Sequence, residues 1–243
     1  MLFQRKNQSF RVSSSEATLV NERKFVGGVL DLPFVLGLLD ARLPSDRRHG
    51  KGRVNSVYFD TPALRAWGEK ANGDNLKRKV RARWYDRPSD LGPETPVFLE
   101  LKRRIGSARD KTRVETSAPT PLLTQTPLSS PAWPALFASR AAQLGEPVGP
   151  DWSPVCRIEY DRVRFDDPES GSRVSVDWNI VAFPNAERFP WAAPVSLGAL
   201  VCEFKSRGGP PPRWSEALRN AGLRLRSFSK YGECMNRIVN GIP

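Results

Sequence analysis

The stretch Asn75-Leu-Lys-Arg-Lys-Val-Arg-Ala-Arg-Trp-Tyr-Asp86 has the two-residue period of a β-strand, with a basic residue at alternate positions. Successive side chains alternate across a strand, so Lys77, Lys79, Arg81 and Arg83 share one face. An ordinary strand keeps apolar residues on the face that packs against the core. Four cations on one face therefore indicate a strand that lies beside a highly charged ligand.

A second stretch, Leu200-Val-Cys-Glu-Phe-Lys-Ser-Arg207, places Glu203, Lys205 and Arg207 on one face and apolar residues on the other. The same alternation of charged and apolar faces recurs in other predicted strands, namely Thr18–Val26, Val97–Arg103, Lys111–Glu115, Val155–Phe165 and Arg173–Trp178, and Arg53–Asp60 is also strand-like. A polar strand face is usually just exposed to solvent. The repetition of the pattern argues that these charged faces meet one another.

The apolar faces of these strands must be covered, and several predicted amphipathic helices can cover them. With the helices outside, the charged faces would lie inside. We therefore predict an α+β fold in which antiparallel strands form a closed β-barrel with a charged lumen. The predicted lumen contains the cations Lys24, Lys77, Lys79, Arg81, Arg83, Lys102, Lys111, Arg113, Arg162, Arg164, Arg173, Lys205 and Lys230 and the carboxylates Glu22, Glu100, Glu115, Asp177 and Glu203.

Residues that favour the start or the end of a helix occur at several places in the chain. Asp31 and Pro33 are suited to start a helix that Pro44 ends, and Ser229 is suited to cap a final helix. Further helices are predicted over residues 63–70, 133–144 and 214–221.

We interpret residues 1–17 as a flexible terminus or a first edge strand, and residues 18–243 as a single domain with a Pro-rich, helical insertion at about 116–151. No apolar run suits a membrane-spanning helix or signal peptide, so we expect a cytoplasmic protein.

Composition limits the chemistry. The 243 residues include 38 Lys and Arg against 26 Asp and Glu, a formal charge of +12 that implies an anionic partner such as nucleic acid, polyphosphate, a nucleotide or an acidic membrane. The single histidine, His49, lies in a basic, Gly-containing segment that we interpret as a solvated loop, and with no other histidine available Ser-His-Asp hydrolysis and multi-histidine metal sites are effectively excluded. The three cysteines are far apart in sequence and argue against a disulfide framework.

Cations inside a lumen are costly to desolvate unless counter-charges meet them. A chain of phosphates would supply those charges, because arginine binds phosphate oxygens in bidentate fashion and lysine adds a point charge. The carboxylates would then hold Mg²⁺ or Mn²⁺ against the phosphate oxygens, since these ions prefer oxygen ligands.

The chain resembles the VTC domain, the polyphosphate polymerase domain of the vacuolar transporter chaperone family, which lies within the triphosphate tunnel metalloenzyme (CYTH-like) superfamily. The matching segments occur in family order and are Glu22–Phe25, Tyr58–Thr61, Lys79–Tyr85, Phe98–Lys102, Glu159–Arg162, Arg173–Asp177, Cys202–Lys205 and Ser229–Tyr231. The first strand has Val20 and Glu22 before Lys24, and so departs from the Glu-x-Glu-x-Lys signature of CYTH phosphatases. That departure argues against thiamine triphosphatase or adenylate cyclase activity.

The resemblance implies a tunnel that binds ATP and a growing inorganic polyphosphate chain. By motif match, the phosphate ligands are Lys24, Arg81, Arg83, Lys102, Lys111, Arg162, Arg173, Lys205 and Lys230. Glu203 is the implied metal ligand, helped by Glu100 or Glu22, with Mn²⁺ or Mg²⁺ as the cofactor. We expect Arg81, Arg83, Arg173 and Glu203 to be the catalytic residues. Lys77 and Lys79 match no essential family position and are expected at the tunnel entrance.

Three functions stay open at this point. The first is a polyphosphate polymerase that transfers the γ-phosphate of ATP, and the second is a tripolyphosphatase or nucleoside triphosphatase with the same tunnel. The third is a non-catalytic domain that binds polyphosphate or RNA. Nucleic acid is not the expected partner, because most aromatic residues near the cations fall on covered strand faces. A separately encoded membrane partner is compatible with the sequence.

Overall fold

The structure, a computed structural model, describes residues 21–86, 92–106, 108–144, 149, 151–206 and 211–242. The predicted flexible terminus, residues 1–17, and Arg207 lie outside them. The strands of the described residues are β1 Asn21–Gly28, β2 Gly52–Asp60, β3 Leu76–Asp86, β4 Glu94–Ile105, β5 Ala108–Pro119, β6 Ser153–Asp167, β7 Ser172–Pro184, β8 Val195–Ser196, β9 Ala199–Ser206 and β10 Arg224–Leu225. The α-helices are α1 Leu32–Asp40, α2 Arg65–Ala71, α3 Thr120–Gln125, α4 Ala132–Ala138, α5 Ser215–Asn220 and α6 Lys230–Asn240.

All strand pairs in the described residues are antiparallel, in the order β10-β1-β9-β7-β6-β2-β3-β4-β5, with β8 added to β7. The α+β class is confirmed. The predicted closure is not: within the described ranges β5 pairs only with β4, so no hydrogen-bonded ladder joins the two ends of the sheet. One physical reason lies at β1, whose outer edge is partly occupied because Phe25 and Val26 pair with β10.

The sheet nevertheless curls enough to bring distant strands face to face. Lys102 on β4 interacts electrostatically with Lys205 on β9 and with Glu22 on β1, although β4 and β9 are separated by four strands in the sheet order. Charged side chains therefore occupy the concave side. We call this side the inner face of the sheet.

Helices and loops cover the convex side through two apolar clusters. Val35 and Leu39 of α1 pack with Phe165, Val174 and Phe204, which are buried on β6, β7 and β9. The second cluster joins α3 and α4 to the outer sides of β3, β4 and β5 and is built from residues such as Trp84, Leu99, Val114, Leu123 and Trp133. These contacts confirm the prediction that helices shield the apolar strand faces.

The last helix is an exception, because α6 packs against the inner side at one end of the sheet. Its residues Tyr231, Met235 and Ile238 belong to a cluster with Val26 and Tyr58, which lie on the same strand faces as the charged residues. The inner face is thus apolar under α6 and charged beyond its N-terminus. This placement brings the start of α6 beside the cations.

Local signals explain where helices begin. The Asp60 carboxylate accepts hydrogen bonds from the backbone N–H groups of Ala66 and Trp67, and the Thr61 hydroxyl accepts one from Arg65. The Ser229 hydroxyl accepts from the Gly232 N–H, so the predicted cap of the last helix is confirmed. The helix predicted over 133–144 is instead α4 followed by a 3₁₀ turn, Ala141–Leu144.

Among the described residues, no helix combines the length and the apolar character needed to cross a membrane.

Candidate phosphate-binding site

Cations outnumber carboxylates on the inner face, as the alternation in the sequence predicts. The apolar partners of these residues point outward, as Val80, Ala82 and Trp84 do on β3. The nine predicted phosphate ligands all come from strand positions on this side or from the start of α6. They are Lys24, Arg81, Arg83, Lys102, Lys111, Arg162, Arg173, Lys205 and Lys230.

Glu100 is surrounded by three cations. The guanidinium of Arg81 donates to Oε2 of Glu100 from Nε at 2.7 Å, and Lys111 and Arg113 lie 2.6 and 3.1 Å from Oε1. Burial alone would raise the pKa of Glu100, but Arg81, Arg83 and Lys111 hold it well below its ordinary value. Glu100 is therefore an ionised counter-charge that orients cations from β3 and β5.

Arg83 has no carboxylate partner among the described residues. Its Nε donates to the Ser56 hydroxyl at 3.1 Å and its Nη2 to the Tyr160 hydroxyl at 3.2 Å. Only 7% of its surface is exposed. A buried guanidinium with neutral partners keeps a full positive charge available to an anion.

Asp177 joins Arg162 to the last helix. Its Oδ1 accepts from Nε of Arg162 at 2.5 Å, and its Oδ2 accepts from Lys230 at 2.5 Å. Burial opposes ionisation, yet Arg162 and Lys230 lower the pKa of Asp177 to about 2. The Lys230 ammonium also lies 4.6 Å from the ring centroid of Tyr160, so Asp177 and Tyr160 fix its position.

Glu22 and Glu203 lie on either side of the Lys24 ammonium, at 2.8 and 3.5 Å from its nitrogen, and Lys205 lies 2.9 Å from the other oxygen of Glu203. Burial would raise the pKa of Glu203, but Lys205 and Lys24 hold it well below its ordinary value. Two neighbouring ionised carboxylates fit a hard cation that keeps water ligands and takes further oxygens from phosphate. No group of three or more His, Cys, Asp or Glu suited to a metal occurs in the described ranges.

Lys79 and Lys102, which lie opposite each other on β3 and β4, have no carboxylate partner within the part of the chain that the structure describes. Lys79 donates to the Ser229 hydroxyl at 2.9 Å, and Lys102 has no hydrogen-bond or ion-pair partner there. Burial, reinforced by Lys24 and Arg81, lowers the pKa of Lys79 to about 7. Burial, with Arg81 and Lys205, lowers the pKa of Lys102 well below its ordinary value.

Arg173 and Lys205 face each other across the β7–β9 pair, where Arg173 is exposed and Lys205 is half-buried. They mark an open side of the cluster, whereas Arg81, Arg83 and Arg162 lie deeper. Lys77, expected at the tunnel entrance, lies at the start of β3 and donates to the carbonyl of Gly73. Lys79 differs from that expectation, because its ammonium reaches the N-terminus of α6 inside the cluster.

Several residues of the site were not among the predicted ligands. Tyr58 accepts a hydrogen bond from Arg81 and stacks on Tyr231 of α6 with ring centroids 4.7 Å apart. Tyr160 bridges Arg83 and Lys230. The sequence could have predicted that Tyr160 belongs to the site, because it is two residues before Arg162 and so shares its strand face.

Comparison with known families agrees with this geometry. The family model of the VTC domain matches residues 10–239. The chain belongs to the VTC domain family. The match spans every described strand of the main sheet, and the resemblance drawn from the ordered motifs is thereby confirmed. Membership of the VTC domain family supports a tunnel-type function on polyphosphate or triphosphate.

Among solved structures, one match to this VTC domain is the crystal structure of a protein described as a putative adenylate cyclase from Bacillus halodurans, at 12% sequence identity and a TM-score of 0.46. The match covers 86% of this chain and 92% of that one. None of the curated proteins compared with the chain matches it.

Proposed function

We propose that the protein is a metal-dependent polyphosphate polymerase, which transfers the γ-phosphate of ATP to a growing inorganic polyphosphate chain. The observation that carries this proposal is the convergence of nine motif-matched cations on one concave face, where the carboxylates neutralise only some of them. A linear polyanion is the ligand that such a face suits best.

Phosphate fits the individual groups as well as the overall charge. Among the described residues, neither Arg83 nor Lys102 is bonded to a carboxylate, so both side chains can donate to a phosphate oxygen. Glu100 holds Arg81 in a fixed orientation, and Asp177 does the same for Arg162. Guanidinium groups held in this way are preorganised for bidentate contact with phosphate oxygens. Lys205 and Arg173 on the open side would lead the chain toward the deeper arginines.

The proposed reaction needs no protein nucleophile. A terminal phosphate oxygen of the acceptor chain is already anionic, and it would attack the γ-phosphorus as the bond to the leaving ADP oxygen breaks. Arg81, Arg83 and Arg173 would align the two phosphates and stabilise the charge of the transition state. The chain's thiols are unsuited to attack, since all three cysteines are buried and burial raises their pKa values.

Glu203 and Glu22 would hold Mg²⁺ or Mn²⁺ when it is bound. The ion would neutralise negative charge on the phosphate oxygens. Glu100 was also predicted as a metal ligand, but its contacts with Arg81, Lys111 and Arg113 suit it better to positioning those cations. We therefore assign the ion to the Glu22 and Glu203 side of the inner face.

The decisive experiment incubates the purified protein with ATP and Mn²⁺ or Mg²⁺ and separates the products on a gel. Long-chain polyphosphate, with ADP formed in equal amount to the phosphate units added, is the expected result. Arg83→Met is expected to lose this activity, while Arg53→Met keeps it, because Arg53 pairs with Glu159 on the opposite face of β2.

Other outcomes would overturn the polymerase assignment. Orthophosphate as the only product would make the protein a tripolyphosphatase or nucleoside triphosphatase. Absence of turnover with tight tripolyphosphate binding would indicate a non-catalytic binding domain. RNA binding that survives saturation with tripolyphosphate would place the ligand outside the inner face.

A further inference from the structure

Lys79 occupies an unusual position for a basic residue in a charged cluster. It lies on β3 two residues before Arg81, and its strand partner across the β3–β4 pair is Lys102. From β1 it faces Lys24 and Glu22, and from α2 it faces Lys70. Its hydrogen-bond partner is the hydroxyl of Ser229 at the start of α6.

Cations dominate these surroundings. Among the described residues, the groups with the largest electrostatic effect on Lys79 are Lys24, Arg81, Lys70 and one carboxylate, Glu22, which already pairs with Lys24 at 2.8 Å. Ser229 also accepts the N–H of Gly232, so its oxygen is shared between the helix cap and the lysine. A protonated Lys79 therefore lacks a counter-charge among the described residues.

We propose that Lys79 is a further phosphate-binding residue of this site, and that it takes up a proton when an oligophosphate binds. This inference rests on the proposed function, since it assumes that phosphate chains occupy the inner face. The bound phosphate would supply the missing negative charge, and the ammonium form would then donate to a phosphate oxygen. The site would gain one cation only when substrate is present.

The unbound state of Lys79 agrees with this role. Burial, together with Lys24 and Arg81, lowers the pKa of Lys79 to about 7, so most molecules carry the neutral amine at pH 8. A neutral amine keeps its hydrogen bond to Ser229 while avoiding repulsion from Lys24, Arg81 and Lys70. A nearby polyanion favours the charged form and raises the pKa again, which couples proton uptake to binding.

A purely structural lysine offers the main contrast. If Lys79 served only to hold the start of α6, its replacement would lower stability without changing the protons exchanged on binding. The number of protons taken up is therefore the informative quantity.

The test is calorimetric titration of the full chain with tripolyphosphate at pH 8, in buffers that differ in ionisation enthalpy. Protons that the ligand itself gains or loses on binding are common to wild type and Lys79→Arg, so the difference between the two proteins reports on Lys79. Wild type is expected to take up about 0.9 proton more per bound ligand than Lys79→Arg, which is charged in both states. Lys79→Met is expected to show the same loss of uptake and at least about tenfold weaker binding, since a charge-assisted contact is removed.

Lys51→Met is the matched control, because Lys51 is exposed in the loop before β2 and its ammonium lies over the ring of Trp178, which belongs to the apolar cluster on the outer side of the sheet. It is expected to change neither proton uptake nor affinity by more than about twofold, as suits an exposed charge. Equal uptake by wild type and Lys79→Arg would overturn the inference, as would unchanged affinity in a folded Lys79→Met. Failure of wild type to bind tripolyphosphate would instead overturn the proposed function itself.

Discussion

The ammonium nitrogen of Lys230 lies 2.5 Å from Oδ2 of Asp177, a contact between the first residue of α6 and the inner side of β7. A cation at a helix N-terminus opposes the helix dipole and is normally unfavourable. Here Asp177 offsets that penalty, and Arg162 shares the same carboxylate. The start of α6 is thus bound to the centre of the charged cluster.

Asp177→Asn tests how much the fold depends on this carboxylate. Removing its charge leaves Arg162 and Lys230 buried without their counter-charge, and loss of one partner in a buried ion pair costs about 3 kcal/mol or more. We expect the midpoint of urea unfolding to fall accordingly. Asp40→Asn, an exposed change at the end of α1, is the control and should leave the midpoint unaltered. Tripolyphosphate should restore part of the lost stability by neutralising the same cations.

The same residue predicts a pH dependence of stability. The pKa of Asp177 is about 2 in the folded protein, against about 3.9 for an unfolded aspartate. A lowered folded pKa gives a stabilisation that is complete above pH 4 to 5 and is lost as the pH falls toward 2. Unfolding free energies measured across this range should decline less steeply for Asp177→Asn than for wild type. Parallel profiles for the two proteins would contradict this assignment.

Glu203→Gln should separate catalysis from binding. The change removes a negative charge beside Lys24 and Lys205 while keeping the shape of the side chain. We expect turnover with ATP and Mn²⁺ to fall at least about 100-fold, because neutralisation of the phosphate oxygens by the ion is lost. Tripolyphosphate affinity in the absence of metal should be equal or higher, since two cations are freed.

Glu216→Gln, an exposed change on α5, is the control for that experiment. A Glu203→Gln variant with normal turnover would contradict the metal assignment. Glu22→Gln should show a weaker version of the same defect, and a higher requirement for Mn²⁺ would identify it as the second ligand.

Much of this arrangement is predictable from the sequence, because a two-residue period fixes which side chains share a strand face. Arg81 and Arg83 on β3, and Glu203 and Lys205 on β9, lie on the predicted side. Closure of the sheet is not predictable in this way, since the alternation of faces says nothing about which edges pair. The short strand β10, which takes part of the β1 edge, carries no apolar alternation that could reveal it.

Contacts between elements that are distant in the chain also could not be predicted from the sequence. Nothing in the pattern around Lys79 indicates that Ser229, 150 residues later, would be its partner. The apolar stripe of the last helix predicts that the helix is buried but not which side of the sheet it covers. Its placement against the inner face follows from the apolar ends of strands β1, β2 and β6, where Val26, Tyr58 and Cys156 occupy positions that carry charged residues elsewhere on these strands.

Tyr231→Phe tests the connection between α6 and α2. The Tyr231 hydroxyl donates to the buried carboxylate of Asp60 at 2.8 Å, and Asp60 also accepts the backbone N–H groups of Ala66 and Trp67 in the first turn of α2. Phenylalanine keeps the stack on Tyr58 but removes this hydrogen bond, at a cost of about 1 kcal/mol. Because Tyr58 contacts Arg81, we also expect a decrease of a few fold in tripolyphosphate affinity. Urea unfolding and calorimetry would measure the two effects, and a loss of affinity without any loss of stability would contradict a positioning role for this hydroxyl.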